Sequence, residues 1–339
     1  MSTVRILGCG VFGIWQALTL ARAGHAVSVA EASAVPFANA ASRYAGAMIA
    51  PDCEAESAPG VIRDLGRIGR SIWAETYPDL AQRGTLVLAP ARDRAELNRF
   101  AAATSSYRNV ATGEIGDLEP DLAGRHHAGL YFEQEAHMAA PDALRFLMSA
   151  AEAAGVKFHF GETAGDGASD DHDWTIDCRG LGAGAAIPKL RGVRGERLVI
   201  ETDGVRLNRT VRFVHPRQPL YIVPWPGGRF MVGATVVETD DASAMSVRSA
   251  LELLGLAYTL HPAFGEARII EMDAGVRPSL PDNVPRILRD ADPRCLRVNG
   301  AFRHGFLLAP VLADAVAAFI ASGEQRHAAL WTSPEAAIL

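Results

Sequence analysis

The chain has 339 residues, 49% of them hydrophobic, which is enough for a sizeable core in one large or two interleaved domains. Thirty-three basic against 39 acidic residues leave a net charge of −6 with no basic block. That excludes a nucleic-acid binder, because phosphate contacts need clustered Lys and Arg.

The predicted elements begin with a strand, Val4 to Leu7, that runs into Gly8-Cys9-Gly10-Val11-Phe12-Gly13. A helix follows from Ile14 to Ala23, Gly24 ends it, and Ala26 to Ala30 is a second strand leading to Glu31. Strand, glycine turn, helix, strand and acid together form the recipe for a dinucleotide site. Gly8 permits the tight turn, Gly10 leaves room for the pyrophosphate, and Gly13 lets helix and strand pack closely. The helix N-terminus, which Val11 and Phe12 lead into, offers free N–H groups and partial positive charge to phosphate. Glu31, 18 residues after Gly13, is placed to accept the ribose hydroxyls. An acid there favours FAD or NAD over NADP, and the motif alone does not choose between those two.

A run of small residues from Ala38 to Ala50 follows, and Pro51 closes it. Gly60 to Tyr77 reads as a helix, Gly84 to Leu88 as a strand, Arg92 to Thr104 as a polar-faced helix, and Gly129 to Phe132 as a short strand. Pro141 to Ala154 is a helix with proline in its first turn and Gly155 past its end. Val156 to Phe160 is the next strand, Gly161 to Asp173 a loop, and Trp174 to Cys178 another strand followed by Arg179-Gly180-Leu181-Gly182.

From Gly195 the pattern becomes antiparallel sheet: Arg197 to Glu201, Val211 to Val214, Leu220 to Val223 and Arg229 to Val237, with Pro224 to Gly228 as a turn. A helix from Ser246 to Leu260, strands at Arg268 to Glu271 and Leu296 to Asn299, and a last helix from Phe306 to Ala321 complete the chain. The expected fold class is α/β, a discontinuous Rossmann-like nucleotide domain (1–80, 140–192 and 275–339) with an inserted, mostly antiparallel β-sheet substrate domain (81–139 and 193–274).

No basic segment followed by an apolar run opens the chain. The apolar stretch Phe306 to Ala321 is interrupted by Asp314 and is too short to span a bilayer. The expectation is a cytoplasmic protein without membrane association. Cys9, Cys53, Cys178 and Cys295 lie far apart with no metal or redox spacing, so reduced thiols are expected. His126, His127 and His137 lack a carboxylate or cysteine partner at ligand spacing, which reads as a solvated loop and no metal site.

Four later segments add a resemblance. They are Val193-Arg194-Gly195-Glu196, Pro219 to Pro224, Ala274-Gly275-Val276-Arg277-Pro278, and Asn299 to Pro310; Gly233-Ala234-Thr235 and Pro281-Asp282-Asn283 fit between them. With the glycine turn, they make the chain resemble the D-amino acid oxidase family of flavoproteins, most of all its bacterial glycine oxidase branch. The resemblance spans the chain from first strand to last helix and implies FAD as the cofactor.

It further implies that Arg277 clamps a substrate carboxylate, as a guanidinium with two parallel donors is suited to do. Tyr221 would hydrogen-bond the same carboxylate, and the main-chain carbonyl of Arg303 would accept from the substrate amine. Arg303, His304, Gly305, Phe306 and Leu307 would pass the flavin pyrimidine ring. Ser42, Arg43, Gly46, Ala47 and Met48 would lie along the pyrophosphate and isoalloxazine, Gly180 near the pyrophosphate, and Val156 beside the adenine. His304 is read as a packing group or a support behind the groups that touch flavin and substrate, and not as a base. No cysteine stands just after Arg277, where related sarcosine oxidases attach flavin, so FAD is expected to be non-covalent.

The implied reaction is oxidation of glycine or another small amino acid with O2 as acceptor, feeding the thiazole of thiamine. Thiazole-synthesis enzymes are candidate partners, and a homo-oligomer fits the family. A dehydrogenase of the same fold and a non-enzymatic flavin-binding protein are the alternatives. Arg43-Tyr44, Ala47 and Ala301-Phe302 depart from the family pattern, and Val236 and Pro219 are expected at the side-chain end of the pocket.

Overall fold

A computed structural model describes residues 1–163, 171–216 and 219–332. Part of the loop read at 161–173 therefore lies outside the described residues. Two large sheets carry the fold. The first has seven strands in the order Trp331–Thr332, Arg286–Arg289, Cys295–Asn299, Trp174–Asp177, Thr3–Leu7, Ala26–Glu31, Lys157–Phe160. From Cys295–Asn299 to Lys157–Phe160 all its pairings are parallel.

Val4, Ile6, Val29 and Ile176 are fully buried, because helices cover the sheet and parallel strands bury both faces. The helices Val11–Arg22, Gly60–Thr76, Ala140–Ala153 and Gly305–Ser322 pack around it. The last of these is the one helix among the described residues long and apolar enough to cross a membrane. Its Leu308, Ala309, Val311, Leu312 and Val316 are fully buried in the same core as the first helix, so burial accounts for its composition.

The second sheet has eight strands, in the order Arg268–Ser279, Arg191–Glu201, Arg229–Gly233, Leu220–Trp225, Thr210–Phe213, Thr85–Leu88, Ala128–Phe132, Arg108–Ala111. Only the Thr210–Phe213 and Thr85–Leu88 pair is parallel. Helix Val247–Leu260 covers one face, packing Leu253, Ala257 and Leu260 onto Leu198, Ile200 and Val232. The Ser246 hydroxyl caps that helix, accepting from the Ser249 N–H at 3.2 Å.

Several elements depart from the sequence expectation. The first helix starts at Val11, not Ile14, because the glycine turn is itself the helix N-terminus. Pro224 and Trp225 belong to strand Leu220–Trp225 and not to the turn. The register pairs of the neighbouring strand Thr210–Phe213 reach only Ile222, so the missing proline N–H breaks no ladder pair on that side. The strand expected at Arg268 to Glu271 runs on to Ser279, through Gly275 and Pro278, paired with Arg191–Glu201 along its length with one register shift between Val199 and Ile200. Arg108–Ala111, helix Thr112–Leu118 and Arg286–Arg289 were not legible as elements; they are short, and polar and apolar residues mix in them without a clear period.

Candidate active site

The first strand ends at Gly8, whose φ of +92° suits glycine; a Cβ there would lie 2.9 Å from the Cys178 carbonyl oxygen. A Cβ at Gly13 would overlap the Gly8 carbonyl, 3.0 Å from its carbon, so this glycine is required for helix–strand contact. At Gly10 the nearest atom to a Cβ is the Ser42 Oγ at 3.7 Å, leaving open space at the helix N-terminus. Ser42 Oγ accepts from the Val11 N–H at 3.2 Å. Glu31 is fixed by two backbone donors, Cys9 N–H at 2.8 Å and Ser33 N–H at 2.9 Å.

These groups open onto a cavity of about 910 Å³ between the two sheets. Gly8, Gly10, Val11, Phe12, Glu31, Ser42, Gly46, Ala47, Met48, Gly180, Gly305, Phe306 and Leu307 line it, and Tyr221, Arg277 and Arg303 line it with them. That volume lies at the upper end for a ligand site, and the phosphate cradle at Gly10 fits a dinucleotide. Asn299 braces the far side, donating from Nδ2 to the Gly180 carbonyl at 2.9 Å.

Four expected residues lie outside the lining. Gly13 is packed under the turn. Arg43 is exposed, its guanidinium 5.6 Å from the Tyr44 ring centre. Val156 is buried in the core, just before the edge strand Lys157–Phe160. His304 is 1% exposed, beneath the turn and not facing the cavity. The histidines read as a solvated loop are corrected as well. His126 and His137 are buried, and His126 packs edge-on to Phe213. Among the described residues no cluster fits a metal.

At the other end of the cavity Arg277 stands opposite Val193 in the strand ladder. A Cβ on Gly195 would fall within 2.5 Å of Cζ and of both terminal nitrogens, so the guanidinium lies across that glycine. Arg277 Nη1 donates to the carbonyls of Arg194 at 3.3 Å and Thr235 at 3.2 Å. Among the described residues, no carboxylate lies within salt-bridge distance of it. Burial lowers its pKa from the ordinary arginine value, and the neighbouring Tyr221 opposes that shift. Burial in turn raises the Tyr221 pKa. Gly46 gives the Tyr221 ring room, since a Cβ there would approach its Cε2 to 2.9 Å.

The sequence reading missed Glu54 and Arg212, which also line the cavity. Glu54 Oε1 accepts from Arg212 Nη1 at 3.2 Å, and Oε2 accepts from Arg303 Nη2 at 3.2 Å. His304 Nδ1 stands 3.5 Å from the same Oε2. Burial alone would raise the Glu54 pKa, but Arg303, Arg212 and His304 outweigh it and hold the group at about 2. Burial pushes His304 down to about 4, so its ring is neutral at neutral pH. Only the Asp52-Cys53-Glu54 acidic run hinted at this, and nothing local marks it as buried.

The model of the FAD dependent oxidoreductase family matches residues 3–319. A Rhizobium etli protein that carries the name thiamine biosynthesis oxidoreductase ThiO is 48% identical over 318 residues, covering 93% of this chain and 95% of that protein. A Bacillus licheniformis glycine oxidase is 26% identical over 351 residues, covering 93% of this chain and 92% of the relative. The crystal structure of glycine oxidase from Geobacillus kaustophilus has the same fold, with a TM-score of 0.81 at 23% identity over 96% of each chain. A glycine-turn cradle facing a large cavity and these matches lead to one assignment: the chain belongs to the D-amino acid oxidase family of FAD-dependent oxidoreductases, and FAD is its cofactor.

Proposed function

We propose that this enzyme oxidises glycine or another small amino acid to its imino acid, reducing O2 to H2O2. The observation that carries this reading is the Arg277 guanidinium beside Tyr221 in the cavity, with no carboxylate partner among the described residues. A half-buried cation of this kind is stabilised by an incoming anion, and two parallel charge-assisted bonds suit a carboxylate.

FAD, when bound, would supply the two-electron acceptor for a hydride from the substrate Cα, with O2 as the final oxidant. Every other contribution comes from the chain. Arg277 and Tyr221 hold the carboxylate. The Arg303 main-chain carbonyl accepts from the amine, so substrate orientation is set at both ends. The N-terminus of helix Gly305–Ser322 turns its partial positive charge toward the cavity, where negative charge gathers on reduction. Neither His304 nor Glu54 serves as a base: one is buried and displaced from the lining, and the other is doubly paired with arginine.

Ala47, Met48, Pro219 and Val236 all line the cavity; in this reading Pro219 and Val236 form its side-chain end and limit substrate size. Cys178 is the cysteine in the lining, and burial holds its thiol pKa well above the ordinary value, which supports non-covalent FAD. The R. etli relative's name supports a role in making the thiazole of thiamine, with thiazole-synthesis enzymes as partners.

The test is anaerobic flavin bleaching against glycine, sarcosine, D-alanine and D-proline, followed by peroxide assay in air. Flavin that stays reduced in air defeats the oxidase reading. Arg277→Ala is expected to lower kcat/KM by about 10²–10⁴-fold, from two charge-assisted bonds of ~1.5–3 kcal/mol each. Unchanged bleaching by that variant defeats the site assignment.

A further inference from the structure

We propose that Glu54 is a positioning residue for this reaction: its carboxylate holds the Arg303–His304 turn at the substrate end of the cavity. The inference rests on the function proposed above and deepens it.

Three separate segments meet on this one side chain. Glu54 ends the short helix Pro51–Glu54, Arg212 comes from strand Thr210–Phe213, and Arg303 and His304 precede the last helix. Each carboxylate oxygen is used, Oε1 by Arg212 and Oε2 by Arg303, with His304 Nδ1 alongside. The base of the arrangement is firm. The Glu54 N–H donates to the Ala50 carbonyl at 3.1 Å, and the Cys53 N–H donates to Glu135 Oε1 at 2.7 Å. Arg212 is held over the Phe100 ring, 5.4 Å from its centre.

The turn it holds has a second anchor that leads back to Arg277. The Phe302 N–H donates to the Pro278 carbonyl at 2.8 Å, and Pro278 is the next residue after Arg277. One side of the turn is therefore tied to the strand that carries the carboxylate clamp, and the other side to Glu54. The carboxylate clamp and the Arg303 carbonyl then share one rigid frame, as orientation of a small substrate at both ends requires. Removing the Glu54 charge leaves Arg212 and Arg303 as two cations with no anion between them; the Ser57 Oγ that accepts from Arg303 Nη2 at 2.8 Å is neutral, so their repulsion would push the turn outward.

Glu54→Gln in the holoenzyme tests this. We expect amide hydrogen exchange across 302–306 to accelerate about tenfold or more. Flavin reduction at saturating substrate should slow by about 30–100-fold, the scale of an ångström-sized misplacement. Affinity for glycolate, a carboxylate without an amine, should stay within about threefold, because Arg277 and Tyr221 are untouched.

Adding Arg212→Met to Glu54→Gln removes one of the two facing cations and should restore part of the rate; a merely structural role would give no such rescue. If Glu54→Gln does not fold, Glu54→Asp keeps the charge at shorter reach and should show the same pattern at smaller size. Native exchange at 302–306 together with an unchanged reduction rate overturns the proposal. If no amino acid bleaches the wild-type flavin, the proposed function fails, while the exchange comparison still decides the role of Glu54.

Discussion

Gly195→Ala is the sharpest test of the carboxylate clamp, because it alters Arg277 without touching it. A Cβ at position 195 would meet Cζ, Nη2 and Nη1 of Arg277, the last at 2.5 Å. The nearest, Nη2, would lie at 2.0 Å; ordinary contact between such atoms needs about 3.5 Å, so the guanidinium must retreat by roughly 1.5 Å. Its way back is restricted, since Nη1 is already bonded to the Arg194 and Thr235 carbonyls. Losing one of two charge-assisted bonds removes about 1.5–3 kcal/mol, a rise of about 10–150-fold in the Kd for a carboxylate ligand. The overpacked site also costs about 1–3 kcal/mol of stability. The assay is a glycolate titration of the flavin spectrum beside the Kd of substrate in anaerobic reduction, with FAD content measured on the same preparation. Retained FAD with weakened binding of both ligands is expected. An unchanged glycolate affinity refutes the placement of the guanidinium over Gly195.

Ala47 sits at φ +48°, where an L side chain is strained by about 1–2 kcal/mol and glycine is not. Ala47→Gly should therefore leave the melting temperature unchanged or raised, against the loss of about 1 kcal/mol usual for a buried alanine; a clear drop contradicts the strain argument. His137 and His304 are both pushed down to about 4 by burial, from an ordinary value of 6.5. The native state keeps these rings neutral while the unfolded chain protonates them. Stability is therefore full above pH 6.5 and falls as pH drops from 6.5 toward 4, by up to about 3 kcal/mol for each ring. Melting temperature against pH checks the sign, and a flat profile across that window counts against burial of the two rings.

Local pattern was a good guide where short-range geometry dominates. The turn from Gly8 to Gly13 was legible because its spacing answers to a contact within one βαβ unit, Gly13 on the Gly8 carbonyl, whereas the Cys178 carbonyl beside Gly8 lies just past a distant strand. Glu31 was legible because the end of the second strand fixes its place, though its binding by Cys9 and Ser33 N–H groups was not. The strand expected to end at Glu271 continues through Gly275 and Pro278 to Ser279. Their tolerance comes from outside the segment: Gly275 gives the Tyr44 ring room, and the Pro278 carbonyl takes the Phe302 N–H. Burial of His126 and His137 was illegible for the same reason, since sheet and helix packing around them is set by distant parts of the chain.

The sequence by itself determined the cofactor-binding unit and the residue types able to grip a carboxylate, because both depend on chemistry and on spacing within a few neighbouring elements. Only the tertiary structure decided what stands across the cavity from what. It put Arg277 over Gly195 and beside Tyr221, moved His304 and Arg43 out of the lining, and brought Glu54 between Arg212 and Arg303. The Glu54–Arg303 pair spans 249 positions of the chain, and a charge pair at that separation leaves no periodicity or motif in the sequence.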